Sequence, residues 1–259
     1  MRICVTFKIY SDLSNVKLKD LEITEEMGVD THFLPNTINC YDESSLEFAI
    51  RLSEKNENII NTALTISNDG AKPTLKSLLA LGYNHVVCIM GDSSDFKFSP
   101  NLVAHNIVKY IENNPNDVII IGKEAPLGNN AATAQLVSKK LNFPLISSVI
   151  DIKKIKKDSL IVLIENNNSI YQQEVKIPCV LSMGNAVISK LRMPTLKERM
   201  KNKTREIEMF DFIDSKEPSY LYPLRIYKPE RKRESSFSKT SEEIKEYLSN
   251  EFVSKVKEL

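Results

Sequence analysis

The sequence predicts an α/β fold: a doubly wound, mostly parallel sheet with an added edge hairpin and a C-terminal arm that ends in a helix. Three observations carry this prediction. Short apolar runs alternate with helical periodicity over residues 1–150. After Asp151 the pattern changes to strands separated by turn residues. Residues 206–240 then lose any period before a final amphipathic segment.

Taken in order, Arg2–Ile9 reads as a strand, and Tyr41–Lys55 as a helix because Leu46, Ile50 and their neighbours recur at helical spacing. Ile59–Ile66 is a strand, Lys72–Leu81 a helix, Val86–Met90 a strand and Pro100–Asn113 a helix. Val118–Ile121 is a strand, Ala131–Leu141 a helix and Leu145–Ile150 a strand. Strands joined by helical crossovers imply parallel pairing with helices on both faces. From Asp151 to Met183 the runs "SLIVLIE" and "SIYQQEVKIPCVLSM", with turn signals at Asp158 and Asn166–Asn168, suggest a hairpin added at the sheet's edge. "SYLYPLRIYKPERKR" reads as an arm, and Ser241–Leu259 as a closing helix with Ser241 and Ile244 at its capping box. Such an arm either docks on a partner or stays a flexible tail.

Composition narrows the function. With 259 residues and 42% hydrophobic content the chain can bury a sizeable core. A net charge of +1 argues against nucleic acid or a membrane surface as the partner. The apolar runs are too short to span a bilayer, and the N-terminus reads as a strand and not a signal segment. Cys4, Cys40, Cys88 and Cys179 form no Cys-x-x-Cys pair, so reduced thiols in a cytoplasmic protein are expected. His32, His85 and His105 have no partners at metal-ligand spacing and are read as structural, so no metal is expected. Asp42 and Glu43 open a helix, where dipole grounds place carboxylates. No Ser–His–Asp arrangement stands out, and catalytic residues are expected to be absent.

In a doubly wound sheet, ligands bind beyond the carboxyl ends of the strands where the winding reverses. With a strand order of 3-2-1-4-5, the loops Phe7–Asp12 and Gly122–Asn130 flank that crevice. "GKEAPLGNNAATAQLVSKKL" (Gly122–Leu141) would place Asn129 or Asn130 as a cap, with the N–H groups of Ala131, Ala132 and Thr133 free for an anion. It matches neither a Walker loop nor a dinucleotide fingerprint. The residues alone leave a phosphate loop and a plain strand-to-helix turn equally open.

Several stretches nevertheless resemble the beta subunit of electron-transfer flavoproteins, in order and essentially end to end. "ICVTFKIYSD" is similar to that family's I-L-V-x-x-K-Q-V-x-D. "INCYDESSLEFAIRL" is similar to I-N-P-Y-D-E-x-A-L-E-x-A-x-R-L, with Cys40 in place of proline. "LRMPTLKERMKNK" is similar to P-R-Y-P-S-L-K-x-x-M-x-A-K. The resemblance implies a Rossmann-like fold of the adenine-nucleotide alpha-hydrolase type. It also implies a heterodimer with an alpha subunit that holds FAD, and a beta crevice that holds AMP or a second FAD, the latter in electron-bifurcating members.

The cofactor-binding residues it implies are Thr6, Lys8, Asn39, Cys40, Tyr41, Asp42, Ile66, Gly122, Gly128, Asn129, Asn130, Ala131, Ala132, Thr133 and Gln135. The family's D-G-D-T is replaced here by "NNAATAQ", which removes carboxylates near the phosphates and leaves Thr133 and Gln135 as matches. The T-A-Q order leans towards second-FAD members. On this reading residues 1–205 form the nucleotide-binding domain, including a recognition loop at 184–205. Residues 206–259 form an arm and helix that dock on the alpha subunit.

Residues 190–205 carry seven bases and one acid, a net of +6 that leaves about −5 for the rest of the chain. A solvated basic face is the ordinary account. With no aromatic residue to stack on bases, the run does not suit nucleic acid. The resemblance makes it a docking loop for an acyl-CoA dehydrogenase-like or other redox partner, anchored by Leu196 with Arg192, Lys197 and Arg199 around it. The sequence leaves Leu196 equally open as core. The alternative function is an adenine-nucleotide-binding structural or regulatory subunit that transfers no electrons, and the altered D-G-D-T segment is its support.

Overall fold

A computed structural model describes residues 1–17, 20–24, 28–31, 33–91, 99–126, 128–167, 169–214, 227, 240–249 and 253. It divides into Met1–Ile226 and Tyr227–Leu259. In the first unit the strands are β1 (Arg2–Thr6), β2 (Ile9–Ser11), β3 (Asn36–Ile38), β4 (Ile60–Ser67), β5 (His85–Met90), β6 (Val118–Gly122), β7 (Leu145–Ile155), β8 (Ser159–Asn166), β9 (Ser169–Lys176), β10 (Cys179–Met183) and β11 (Glu208–Asp211). The helices are α1 (Cys40–Lys55), α2 (Lys72–Ala80), α3 (Pro100–Asn113), α4 (Thr133–Leu141) and the short α5 (Leu196–Lys201).

Nine strands form one sheet in the order β11-β5-β4-β1-β6-β10-β7-β8-β9, parallel from β11 to β7 and antiparallel beyond. Alternate residues of β1 and β6 serve opposite faces, as strand geometry requires. Ile3, Val5, Val118 and Ile120 pack with α1 and α2 residues such as Leu46, Ile50, Leu75 and Leu78. Cys4, Ile119 and Ile121 pack with Ala104, Ile107, Ile111, Ala134 and Val137 of α3 and α4. Helices therefore cover both faces, and β1 and β6 are buried throughout most of their length.

The structure corrects the expected strand order. Cys179–Met183, read as part of the edge hairpin, returns between β6 and β7 as β10, parallel to both and buried at every residue. The hairpin proper is β8–β9. Burial on both faces explains why "CVLSM" shows no polar alternation. The expected Arg2–Ile9 strand also stops at Thr6. The chain then breaks away, and Ile9–Ser11 pairs with Asn36–Ile38 as a separate two-stranded ribbon.

Residues 206–214 are more ordered than an arm. β11 lies parallel to β5, with Tyr110 and Phe210 edge to face at 5.4 Å. Asn106 donates to Ile213 O (2.9 Å) and accepts from Ile213 N–H (2.8 Å), which imitates one more strand rung. His85 joins this edge through Glu208 (Nδ1 to Oε1, 2.7 Å), while His32 lies outside the described residues. Much of the expected arm, 215–226 and 228–239, also lies outside them.

In the second unit α6 (Ser241–Tyr247) starts one residue earlier than expected. Thr240 is the N-cap and Glu243 completes the capping box, in place of Ser241 and Ile244. Ile244, Tyr247 and Leu248 form an exposed apolar stripe along it. Among the described residues no helix is long and apolar enough to cross a membrane.

Candidate functional site

The winding reverses at β1, which has β4 on one side and β6 on the other, so a crevice opens beyond the carboxyl ends of β1 and β6. Thr6 closes β1, Ile66 stands near the end of β4 and Gly122 closes β6. The first turn of α1 ties the two flanking loops together. Asn39 N–H donates to Lys8 O at 3.0 Å, and Asn39 Nδ2 donates to Glu124 O at 2.8 Å. Tyr41 Oη donates to Glu124 Oε1 at 3.2 Å, and burial with the nearby Glu124 raises the phenol's pKa.

Asp42 is the centre of this arrangement. It is 4% exposed. Its Oδ2 accepts from Lys8 N–H (2.8 Å) and its Oδ1 from Gly122 N–H (3.1 Å). Burial pushes its pKa up to about 7, against the opposing pull of the hydrogen bonds from Lys8, Asn39 and Gly122 and of the Lys8 charge. The dipole account of Asp42 is therefore incomplete: the carboxylate staples two loops. Gly122 is the counterpart, because a Cβ there would stand 2.1 Å from Asp42 Oδ1. Cys40, by contrast, is exposed at the start of the helix.

The loop after β6 turns through left-handed backbone at Gly128 (φ 91°), Asn129 (φ 37°) and Ala131 (φ 48°). Asn130 Oδ1 accepts from Ala132 N–H at 3.1 Å, so its cap falls one turn position before the helix. α4 itself begins at Thr133 behind Ala132 with no side-chain cap. Its first N–H groups thus lack partners within the helix. Gln135 is exposed one turn in. Small side chains and an uncapped helix start suit an anionic group, and successive left-handed residues suit it as well. The donor set fits a nucleotide phosphate. A groove of about 340 Å³ lies elsewhere, lined by Ile50, Glu54, Ile59, Leu81 and Asn84, and brings no comparable donor set.

Residues 184–205 form a loop clamped at two arginines. Arg192 grips Glu47 (Nη2 to Oε1, 2.7 Å; N–H to Oε2, 3.1 Å) and Glu54 (Nη1 to Oε1, 2.7 Å). Burial alone would raise the pKa of Glu47, but hydrogen bonds from Arg192 and Arg51 hold it below the usual carboxylate range. The hydrogen bonds and charges of Glu47 and Glu54 raise the pKa of the Arg192 guanidinium further. Arg205 donates to Leu79 O (3.2 Å) and Asn84 O (2.7 Å). Between the clamps, α5 is started by a Thr195–Glu198 capping box. Leu196 (77% exposed) and Met200 (68%) are one turn apart on it, and Met193 (77%) precedes it. Leu196 is not core. Lys197 and Arg199 are exposed beside it, whereas Arg192 is engaged inward.

The sequence reading missed Glu47, and it placed Glu124 in the site loop and Arg205 in the basic run without assigning either a bonding partner. A glutamate at a position facing the core, with a basic run elsewhere, was the available signal for Glu47. Glu124 and Arg205 bond through positions that no local pattern marks.

A doubly wound α/β domain with an anion-suited crevice at the winding reversal, beside a clamped basic loop with an apolar tip, is the class that these features define. The model of the electron transfer flavoprotein domain matches residues 26–215, and the chain belongs to the electron transfer flavoprotein family, on its beta-subunit side. It is similar to the electron transfer flavoprotein subunit beta of Megasphaera elsdenii, 29% identical over 82% of this chain and 78% of the relative. It is 26% identical to the subunit beta of Dictyostelium discoideum over 71% and 72%. It is 24% identical to the mitochondrial subunit beta of Oryza sativa subsp. japonica over 88% and 90%. The protein is accordingly a beta-subunit-like electron carrier and not an enzyme with turnover of its own.

Proposed function

We propose that this chain is the beta subunit of a heterodimeric electron-transfer flavoprotein, with FAD held mainly by the alpha subunit and AMP or a second FAD in the crevice beyond β1 and β6. The fold is then of the adenine-nucleotide alpha-hydrolase type. The observation that carries this reading is the uncapped start of α4, entered through left-handed Gly128, Asn129 and Ala131, within a chain matched to the family over residues 26–215.

In this reading the N–H groups at Thr133 and the residues after it receive the phosphates, and the loss of the family's carboxylates removes repulsion there. Thr6, Lys8 and Asn39 form the opposite wall, with Ile66 at the end of β4. The flavin supplies the electron-accepting chemistry, and the chain positions, shields and docks. Leu196, Met193 and Met200 form an apolar anchor inside a basic rim, which suits an apolar pocket on an acidic redox partner, acyl-CoA dehydrogenase-like or other. Arg192 serves that surface by fixing the loop. The chain beyond residue 214 docks on the alpha subunit, and the apolar stripe of α6 supplies the contact.

Co-purification with the alpha partner, followed by heat release and quantification of bound nucleotide, tests this. One FAD and one AMP per heterodimer is the result for a simple carrier. Two FAD mark a bifurcating one. Absence of an alpha partner and of flavin overturns the proposal and leaves a nucleotide-binding subunit without electron transfer.

A further inference from the structure

We propose that Asp42 is a positioning residue: its carboxylate holds the two walls of the crevice at a fixed separation by bonding one backbone N–H from each, without being a ligand contact itself. The inference rests on the nucleotide reading only for the identity of what lies between the walls.

Both carboxylate oxygens are engaged, Oδ2 with the N–H of Lys8 after β1 and Oδ1 with the N–H of Gly122 at the end of β6. Those two amides open the two loops that flank the crevice. The side chain is almost wholly buried, which leaves it no open face towards a ligand. The opposing residue is shaped to the same contact, since any Cβ at Gly122 would collide with Oδ1. A one-atom fit of this kind, between a helix start and a strand end 80 positions apart, is a geometric constraint on the crevice.

An ionised carboxylate accepts strongly at both oxygens, whereas a protonated one carries an O–H at one of them and accepts there more weakly. Burial keeps the two states within reach near neutral pH. The titratable groups around the carboxylate are Lys8 after β1, Tyr10 on β2, Cys40, Tyr41 and Glu43 on its own helix, and Glu124 after β6, which meets Tyr41. Lys8 favours the ionised form. The walls are therefore pinned above the transition, and one of the two bonds is weakened below it.

Two measurements on the full chain test the proposal. In two-dimensional NMR from about pH 5.5 to about 8.5, the amide protons of Lys8 and Gly122 should titrate with one shared midpoint, and Asp42→Asn should abolish that shared transition. Calorimetric titration with AMP should show at least about tenfold weaker binding in Asp42→Asn at pH 8, with the pH dependence of the unaltered chain flattened. Persistence of the shared transition in Asp42→Asn, or its absence from the unaltered chain, overturns the positioning role. So does AMP affinity unchanged by the substitution. If the unaltered chain binds neither AMP nor FAD while the two amides still titrate together, the nucleotide reading fails and the positioning role stands.

Discussion

At the scale of single residues, the site depends on close approaches that a motif does not express. Gly122 is invited by any strand-to-helix turn, yet its requirement comes from Asp42, whose Oδ1 occupies the space of a Cβ. Gly122→Ala is expected to cost about 1–3 kcal/mol through forced displacement and to lower the melting temperature by several degrees. A variant that melts with the unaltered chain would show that the Asp42 contact yields freely. Arg192 teaches the same lesson. Its charge was legible, but its destination was not, because Glu47 lies on α1, 145 positions away in the chain. A basic run read as an outward face is in part an inward clamp, and the outward part is Leu196 with Lys197 and Arg199.

At the scale of elements, the strands and helices of residues 1–150 were legible, apart from the β2–β3 ribbon, because each repeats a period that its own residues carry. The placement of β10 was not, since an apolar run of five suits an edge hairpin and a buried interior strand alike. Pairing with both β6 and β7 decides it. The two placements predict different energetics. Leu181→Ala, at a fully buried position of β10, is expected to cost about 2–5 kcal/mol. Ile170→Ala on the outer strand β9, where Ile170 is 63% exposed, should stay within about 0.5 kcal/mol. Urea midpoints of the two variants measure the contrast, and equal losses would remove the distinction between interior and edge. The starts of the expected helices were legible to within two residues: the helix expected from Ala131 begins at Thr133, and Thr240 with Glu243 does what Ser241 was expected to do.

For the whole molecule, the buried carboxylate of Asp42 ties stability to pH. Its pKa rises from an ordinary 3.8 to about 7 in the folded chain, so the folded state binds more protons than the unfolded state in that window. Stability from this group is therefore full below about pH 4 and falls as pH rises to about 7, at about 1.4 kcal/mol per pKa unit. Urea unfolding of the unaltered chain relative to Asp42→Asn, taken across that range, should show this decline and then a plateau. A flat difference would mean that the carboxylate is not held against burial. The fold thus accepts a less stable charged group where the crevice walls meet, the kind of local cost that functional sites carry. The sequence by itself determined the α/β class, most of the alternation of elements and the family, because periodicity and motif order are properties of neighbouring residues. Only the tertiary structure decided which strand fills the gap beside β6, that Asp42 faces Lys8 and Gly122, and that Leu196 is exposed between two arginine clamps. Each of these depends on residues far apart in the chain meeting within a few ångströms, and burial, which sets their chemistry, exists only after they meet.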